Sequence, residues 1–557
     1  MNVLSHGVPF CCDGSQVVPL YGGPHDVRVL GTEEEAQYRY DPLGETAPEM
    51  IERIAREWAP DLLLCWLPEV YPPPLGIEDA PVRTVALISD WNVFYPILAL
   101  NLSRYDLTLC DKHGVGVFRS DYVSPHYLFP LYSQVTPFHR PYGGEKDIDV
   151  VFVGNLNHAA HRTRAHYLER LAKLSDRYRI VITADVRGEA YGRLLSRSRV
   201  VFNHSIRGEV NLRVLETMAC GSLAFLEENN REVRDWFDVD AELVLYNAEN
   251  FEKRLVHYLE HREEAEAVTA RGHARAAEFA GENRLTRLIE WAAEQACGAR
   301  RFHDLPAEER EYQDLRMYGR SPSAVYRSLE LRLLSKLMQE WPDDPRVLTA
   351  AGCYLLAPEA DAEQQHVRCV KSFAKACECA GDSAPYALNA ATALRAFGMT
   401  DGEATYLKKA LDATDLEGAD LLIGHGGDAF YVQWQLAVAE KTATCAALHA
   451  EALIRLAAIH TGRGDHVSAE AELVRAGELD ATAVRRLPML AELYWATGRQ
   501  VEAVDTLRRA LPDLPMDVAV RQRLCDMLVA LGAKSEAKAL AEESLAITRA
   551  CQDPPIM

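Results

Sequence analysis

No run of about 18 uncharged apolar residues occurs in the chain, so no membrane-spanning helix is expected. The opening MNVLSHGVPFCCDG has neither a basic n-region nor an apolar h-region, so no signal peptide is expected. No Cys-x-x-Cys pair occurs among the 13 cysteines. The close pairs Cys11–Cys12 and Cys377–Cys379 lack a His or Cys partner at zinc spacing, so no structural metal is expected. Cys65, Cys110 and Cys220 sit inside apolar patterns and read as small buried hydrophobes of a reducing, cytoplasmic compartment. Basic residues are in deficit, 60 against 82 acidic, for a net charge of −22. A chain this acidic is a poor general binder of nucleic acid or anionic membrane. A local basic pocket for a phosphate stays open.

What is present is an ordinary globular balance, 48% hydrophobic and 25% charged, over 557 residues, enough for two to four cores. The character changes near residue 300. Before it, short apolar runs alternate with helical patterns. Strands are expected at 61–66, 82–88, 106–110 and 115–118, after a helix over 46–58 with Thr46 as its cap. The Pro-rich 71–74 can only be loop, and 141–147 reads as a linker. A second series follows: strands at 149–154, 178–184, 199–205 and 222–227, helices near 162–175, 189–197 and 211–220. Alternation of this kind implies parallel sheets with ligands at the carboxyl ends of the strands. Two Rossmann-like domains are expected, over 1–140 and 141–298.

After a helical linker (299–339), residues 340–550 are Ala- and Leu-rich helix with a repeat. Gly464, Gly498 and Gly532 are 34 apart, as are Ala469, Ala503 and Ala537. Ala476 and Ala510, and upstream Ala376 and Ala410, keep the spacing. That is the tetratricopeptide period, with small residues where paired helices cross. The segment 415–445 breaks it. His425-Gly426-Gly427-Asp428 there reads as a functional loop or, more plainly, an irregular connection between helices.

The stretch that carries chemistry is 199–229. A strand delivers a polar loop from Asn203, and a helix starts near Asn211. Helix N-termini suit phosphates, and Arg207 and Arg213 add positive charge in the fork geometry that fits phosphate oxygens. Glu216, about one turn past Arg213, could accept hydrogen bonds from a ribose diol. The same residues also describe an amphipathic helix with an Arg–Glu surface pair, and both readings stand. Gly154, Asn155 and Asn157, with His158, form the loop after the first strand of the second series. Arg162 and Arg164 open the next helix, either toward phosphate or as solvated surface. On the other side, Asp90 in Ser89-Asp90-Trp91-Asn92 and His113 in Lys112-His113-Gly114 each follow an apolar strand. Either could act as a general base; the plainer reading is a capping Asp and a loop His. His6-Gly7 is a weaker candidate of the same kind. Asp238-Val239-Asp240 has an Asp-x-Asp spacing but reads as a solvated turn.

The run N-L-R-V-x-E-x-x-A-C-G at 211–221 resembles the donor-binding segment of the spore-maturation CgeB-like glycosyltransferases, relatives of the family 4 GT-B enzymes. The likeness spans roughly 45–297. It includes DVVFVGNLN, R-x-x-Y-L-x-x-L from Arg164, Y-x-x-L-L-S-R-S-R-V-V-F-N from Tyr191, and V-L-Y-x-x-E-x-F at 244–251. The resemblance implies an α/β twin-Rossmann (GT-B) transferase followed by an all-α tetratricopeptide-type solenoid. It implies a nucleotide-sugar donor, no cofactor and no metal, with Gly154 near the diphosphate and Glu216 on the ribose. Family 4 enzymes carry two glutamates eight apart. Here the position eight before Glu216 is Gly208, and Glu209 is seven before, which opens the question of sugar and stereochemical outcome. The repeats imply a polypeptide acceptor such as a flagellin, pilin or surface-layer protein; a glycan or lipid-linked acceptor, or a non-catalytic scaffold, are the alternatives. Repeat arrays are also compatible with a homodimer.

Overall fold

The computed structural model describes residues 1–7, 23–34, 36–120, 122–128, 137–157, 161–279, 281–296, 300–319, 324–356, 362–424 and 428–551. Cys11, Cys12, His158 and the His425–Gly427 segment lie outside them.

The first sheet is wholly parallel. Its strands are β1 (Asn2–His6), β2 (Asp26–Gly31), β3 (Tyr38–Arg39), β4 (Leu62–Trp66), β5 (Arg83–Leu87) and β6 (Leu107–Leu109), in the order β3-β2-β1-β4-β5-β6. The order reverses between β1 and β4. Every residue of β4 is buried, because both faces of a parallel sheet are covered. Leu63 and Cys65 pack toward helix α1 (Ala47–Ala55), through Met50, Ile51 and Ile54. Leu62, Leu64 and Trp66 pack toward the helix Gly281–Glu294, which returns from the far end of the second domain. Thr46 caps α1 in a capping box, with Glu49 accepting from the Thr46 amide at 2.8 Å.

The second sheet holds β7 (Ile148–Val153), β8 (Ile180–Thr183), β9 (Ser198–Phe202), β10 (Leu223–Glu227) and β11 (Val244–Tyr246), ordered β11-β10-β9-β7-β8 and again parallel. Its order reverses between β7 and β9. In such sheets the crevice at the reversal, outside the carboxyl ends, is where ligands bind. The helices that matter for the site are α2 (Trp91–Asn101), α3 (Lys112–Val117), α4 (Arg162–Ala172), α5 (Gly188–Ser196) and α6 (Leu212–Ala219).

One element departs from expectation. The Val-rich 115–118, read as a strand, instead closes α3, with Phe118 as its C-cap. Asp111 accepts from the Gly114 amide at 2.6 Å and caps the turn. A buried cap outweighs the modest strand preference of two valines.

Three consecutive helix pairs build the end of the solenoid: Cys445–Gly462 with His466–Leu479, Arg486–Ala496 with Gln500–Ala510, and Val518–Ala530 with Lys534–Ala550. Gly464, Gly498 and Gly532 fall between the helices of each pair at φ of 77°, 82° and 80°. Left-handed backbone there ends the first helix of each pair. Ala469, Ala503 and Ala537 are buried where the helices cross. At Gly498 a Cβ would meet nothing within 4 Å, so only backbone strain opposes a side chain. Gly498→Ala is expected to cost roughly 1 kcal/mol, read as a lower urea midpoint for the helical signal of the full chain.

The solenoid does not stand off as an appendage. Asp428 caps the helix Ala429–Ala439, in the segment that breaks the repeat period, and Leu436 and Ala439 pack in the first domain's core. Farther along, Met516, Ile547 and Ala550 pack in the second domain's core. Arg521 pairs with Glu169 of α4. The repeats therefore span both Rossmann-like domains. Among the described residues no helix is long and apolar enough to cross a membrane.

Candidate functional site

The second sheet's crevice is built around Arg213. Its Nε donates to Val153 O at 2.8 Å and its Nη1 to Asn203 Oδ1 at 2.7 Å. One guanidinium thus ties the ends of β7 and β9 together at the strand-order reversal. Nη2 has no hydrogen-bond partner among the described residues. Gly154 makes this possible: a Cβ there would lie 2.5 Å from Arg213 Nη2 and 3.1 Å from the Phe152 ring. Arg164 comes in from α4, donating to His204 O at 3.0 Å and lying 5.5 Å over Phe152, with Arg213 at 4.7 Å from the same ring. Burial and the neighbouring Arg213 charge lower the Arg164 pKa to about 10, which leaves it charged at neutral pH. Two cations crowd one glycine loop, an arrangement that a bound anion relieves.

A polar donor points the same way. Asn203 Nδ2 is buried and without a partner among the described residues; Asn211 Oδ1, likewise unpartnered, is an acceptor and suits a ligand hydroxyl rather than a phosphate oxygen. Asn211 stands at the N-cap of α6 yet makes no side-chain cap bond, so first-turn N–H groups remain for an anion. On the inner face of α6, Glu216 is nearly buried. Its Oε2 accepts from the Tyr191 hydroxyl at 2.7 Å, and Oε1 lies 3.7 Å from His139 Nε2. Asn155 Oδ1 accepts from the Asn157 amide at 2.8 Å and shapes the loop.

Other residues singled out from the sequence lie elsewhere. Arg207 crosses between the domains. Its Nε donates to Asp111 at 3.0 Å, Nη1 to Asn92 at 2.5 Å and Nη2 to Ser89 O at 3.3 Å. It is a buried clasp, because the acceptors that ring it come from the carboxyl edge of the first sheet. Glu232 makes a parallel link, accepting from the Lys112 amide at 3.0 Å and the Val210 amide at 2.9 Å. Arg162 turns outward and donates to Thr482 O of the solenoid at 3.2 Å. His113 likewise faces the solenoid, 3.2 Å from Glu440. Asp90 stays at the cleft: exposed, at the N-cap of α2, 4.0 Å from Arg207. Gly208 has φ of 78°, which explains a glycine where a glutamate could stand; Glu209 folds back to accept from the Arg207 amide at 2.8 Å. Asp240 ends a turn and pairs with Arg254.

Sequence reasoning missed Tyr191 and His139 as supports of Glu216, and Asn92 and Asp111 as the seat of Arg207. It also missed buried carboxylates. Glu227 accepts from the Ser205 amide at 3.2 Å and from Asn230 at 3.1 Å, and burial raises its pKa to about 7. The unfolded chain binds this proton only near the ordinary value of 4.5, so the group costs stability as pH rises from there toward 7. Glu227→Gln keeps the accepting oxygen. It is expected to gain on the order of 1–3 kcal/mol at pH 8 and nothing near pH 4, checked by urea unfolding at both.

Two carboxyl edges that meet across Arg207, one of them bearing an arginine-flanked glycine loop, define a twin-Rossmann protein of the GT-B kind. Residues 138–290, which contain that loop, match the family model described as Glycosyl transferase-like. No curated protein matches the chain. Among solved structures, a glycosyltransferase from Rickettsia africae is 9% identical, covering 53% of this chain and 98% of its own, with a TM-score of 0.38. The pneumococcal O-GlcNAc transferase GtfA, solved with UDP and GlcNAc, is 11% identical over 44% of this chain and 60% of its own, TM-score 0.30. A tetratricopeptide protein of Thermus thermophilus is 19% identical over 40% of this chain and all of its own (100%), TM-score 0.23.

Proposed function

We propose that this chain is a glycosyltransferase that takes its sugar from a nucleotide-sugar donor and passes it to a polypeptide acceptor held by the repeats. The observation that carries the donor half is Arg213 bridging the ends of β7 and β9, with Arg164 beside it and the unpartnered donor Asn203 Nδ2 next to them. The diphosphate would lie over Gly154 between Arg213, Arg164 and the N-terminus of α6. Glu216 would take the ribose at Oε1 while Tyr191 holds Oε2. Helix N-terminus and guanidinium groups supply the positive charge a leaving diphosphate needs. Nucleotide release is therefore expected to persist, within about twofold, after treatment with EDTA.

The acceptor half rests on the solenoid spanning both domains and on its groove of about 700 Å³, lined by Arg395, Glu403, Arg455, Arg463 and Arg485. Deleting the repeats is a poor test, since it strips apolar side chains from both domain cores. Charge reversal in the groove is cleaner. The double change Arg395→Glu, Arg463→Glu is expected to lower sugar addition to cellular proteins, measured by intact mass, with release of nucleotide to water unchanged. Unchanged protein modification, or sugar found only on glycans or lipids, would favour a non-protein acceptor.

A further inference from the structure

The first sheet has its own strand-order reversal, between β1 and β4, and chemistry sits there that no step above uses. His6 ends β1 and is buried. Its Nε2 lies 3.1 Å from the Tyr40 hydroxyl, which lies 2.7 Å from the Tyr326 hydroxyl, which in turn donates to Pro72 O at 3.1 Å. Each phenol owns one hydrogen. A carbonyl can only accept, so Tyr326 spends its hydrogen on Pro72. The hydrogen between the two phenols is then that of Tyr40. With its hydrogen spent, Tyr40 can only accept from His6, so His6 carries its proton on Nε2. Burial lowers the His6 pKa to about 4, so the ring is neutral and holds no second proton. Nδ1 is left as a bare lone pair, buried and without a partner among the described residues.

The neighbouring strand repeats the pattern. Glu69 follows β4; its Oε1 accepts from the Ser89 amide at 2.6 Å, while Oε2 is buried with no partner among the described residues. Ser89 is also the residue whose carbonyl Arg207 reaches from the other domain. A buried acceptor without a hydrogen bond is costly, and two of them just past β1 and β4, where the strand order reverses, call for a donor. Gly7 lets the chain leave β1 at φ of 73° where a Cβ would lie 2.4 Å from Trp66 O, holding the end of β1 against β4.

Building on the transferase reading, we propose that His6 and Glu69 contact the sugar acceptor at the β1–β4 edge: His6 Nδ1 accepts a hydrogen bond from an alcohol hydroxyl, and Glu69 Oε2 accepts from a second O–H or N–H donor of the same molecule. Tyr40 and Tyr326 are positioning residues that fix the His6 tautomer. Tyr326 belongs to the helix Ala324–Glu340, beyond the second domain, so the segment leading into the repeats helps set the acceptor side.

Full-length protein labelled with nitrogen-15 histidine tests the wiring directly, with His6→Gln to assign the ring. A protonated Nε2 and bare Nδ1 in the wild type, lost or mixed in Tyr326→Phe, is the expected result; a proton on Nδ1 in the wild type overturns it. Kinetics test the role. With a sugar nucleotide that the enzyme turns over, and a seryl peptide amide or glycerol as acceptor, His6→Gln and Tyr326→Phe should raise acceptor KM about tenfold, the worth of one hydrogen bond. In Tyr326→Phe, whose lost hydroxyl bonds only Tyr40 and Pro72 among the described residues, nucleotide release to water should stay within about twofold. Unchanged KM, or equal losses in transfer and water hydrolysis, would overturn the subsite. If the wild type turns over no sugar nucleotide, the transferase reading falls and the acceptor role with it, while the tautomer result still decides the tyrosine chain.

Discussion

Arg213→Met is expected to abolish the rise in melting temperature that UDP or GDP gives the wild type, and to cut nucleotide release roughly 100-fold, about 2.7 kcal/mol. The side chain is half-buried and holds Val153 O and Asn203 together, so loss of the guanidinium removes both the phosphate charge and the alignment of two strand ends. Arg213→Lys should rescue little. An ammonium keeps the charge but cannot donate in two directions from one plane. A full melting shift in the Met variant would remove this residue from the donor site.

Arg207→Met should act differently, through stability. Arg207 is buried among Asp111, Asn92 and Ser89, and Asp111 is buried too. Taking away one partner leaves a carboxylate in the interface with, among the described residues, the Trp91 and Gly114 N–H groups alone. Losses of about 3–5 kcal/mol follow from breaking such a pair. The chain has more than one core, so the effect is read as an earlier first phase in urea rather than one midpoint. A variant with unaltered unfolding but weakened nucleotide binding would return Arg207 to the phosphate.

The contrast between these two arginines shows what a sequence discloses. Both flank one loop, both have the right charge, and their order along the chain resembles a donor segment. Only contacts across 115 residues, from Arg207 to Asn92, separate clasp from ligand. His113 and Arg162 differ from expectation for a related reason: the solenoid folds back and occupies them, and helical spacing does not reveal where an array docks. The features that were legible have local causes. Continuous apolar runs such as Leu62–Trp66 mark strands covered on both faces, and the 34-residue glycine spacing follows from left-handed turns at Gly464, Gly498 and Gly532. The 115–118 segment was misleading because a single capping carboxylate, Asp111, set its backbone. His6 and Glu69 were nearly invisible, since an unmade hydrogen bond leaves no trace in a sequence.

A screen of sugar nucleotides for nucleotide release by the full-length protein tests the central claim most directly, with Arg213→Met and Glu216→Ala as blanks. The account predicts that at least one UDP- or GDP-sugar is turned over, that release survives EDTA, and that both variants are silent. No release from any donor, together with no melting shift from any nucleotide, would contradict it and leave a repeat scaffold on a transferase-like fold.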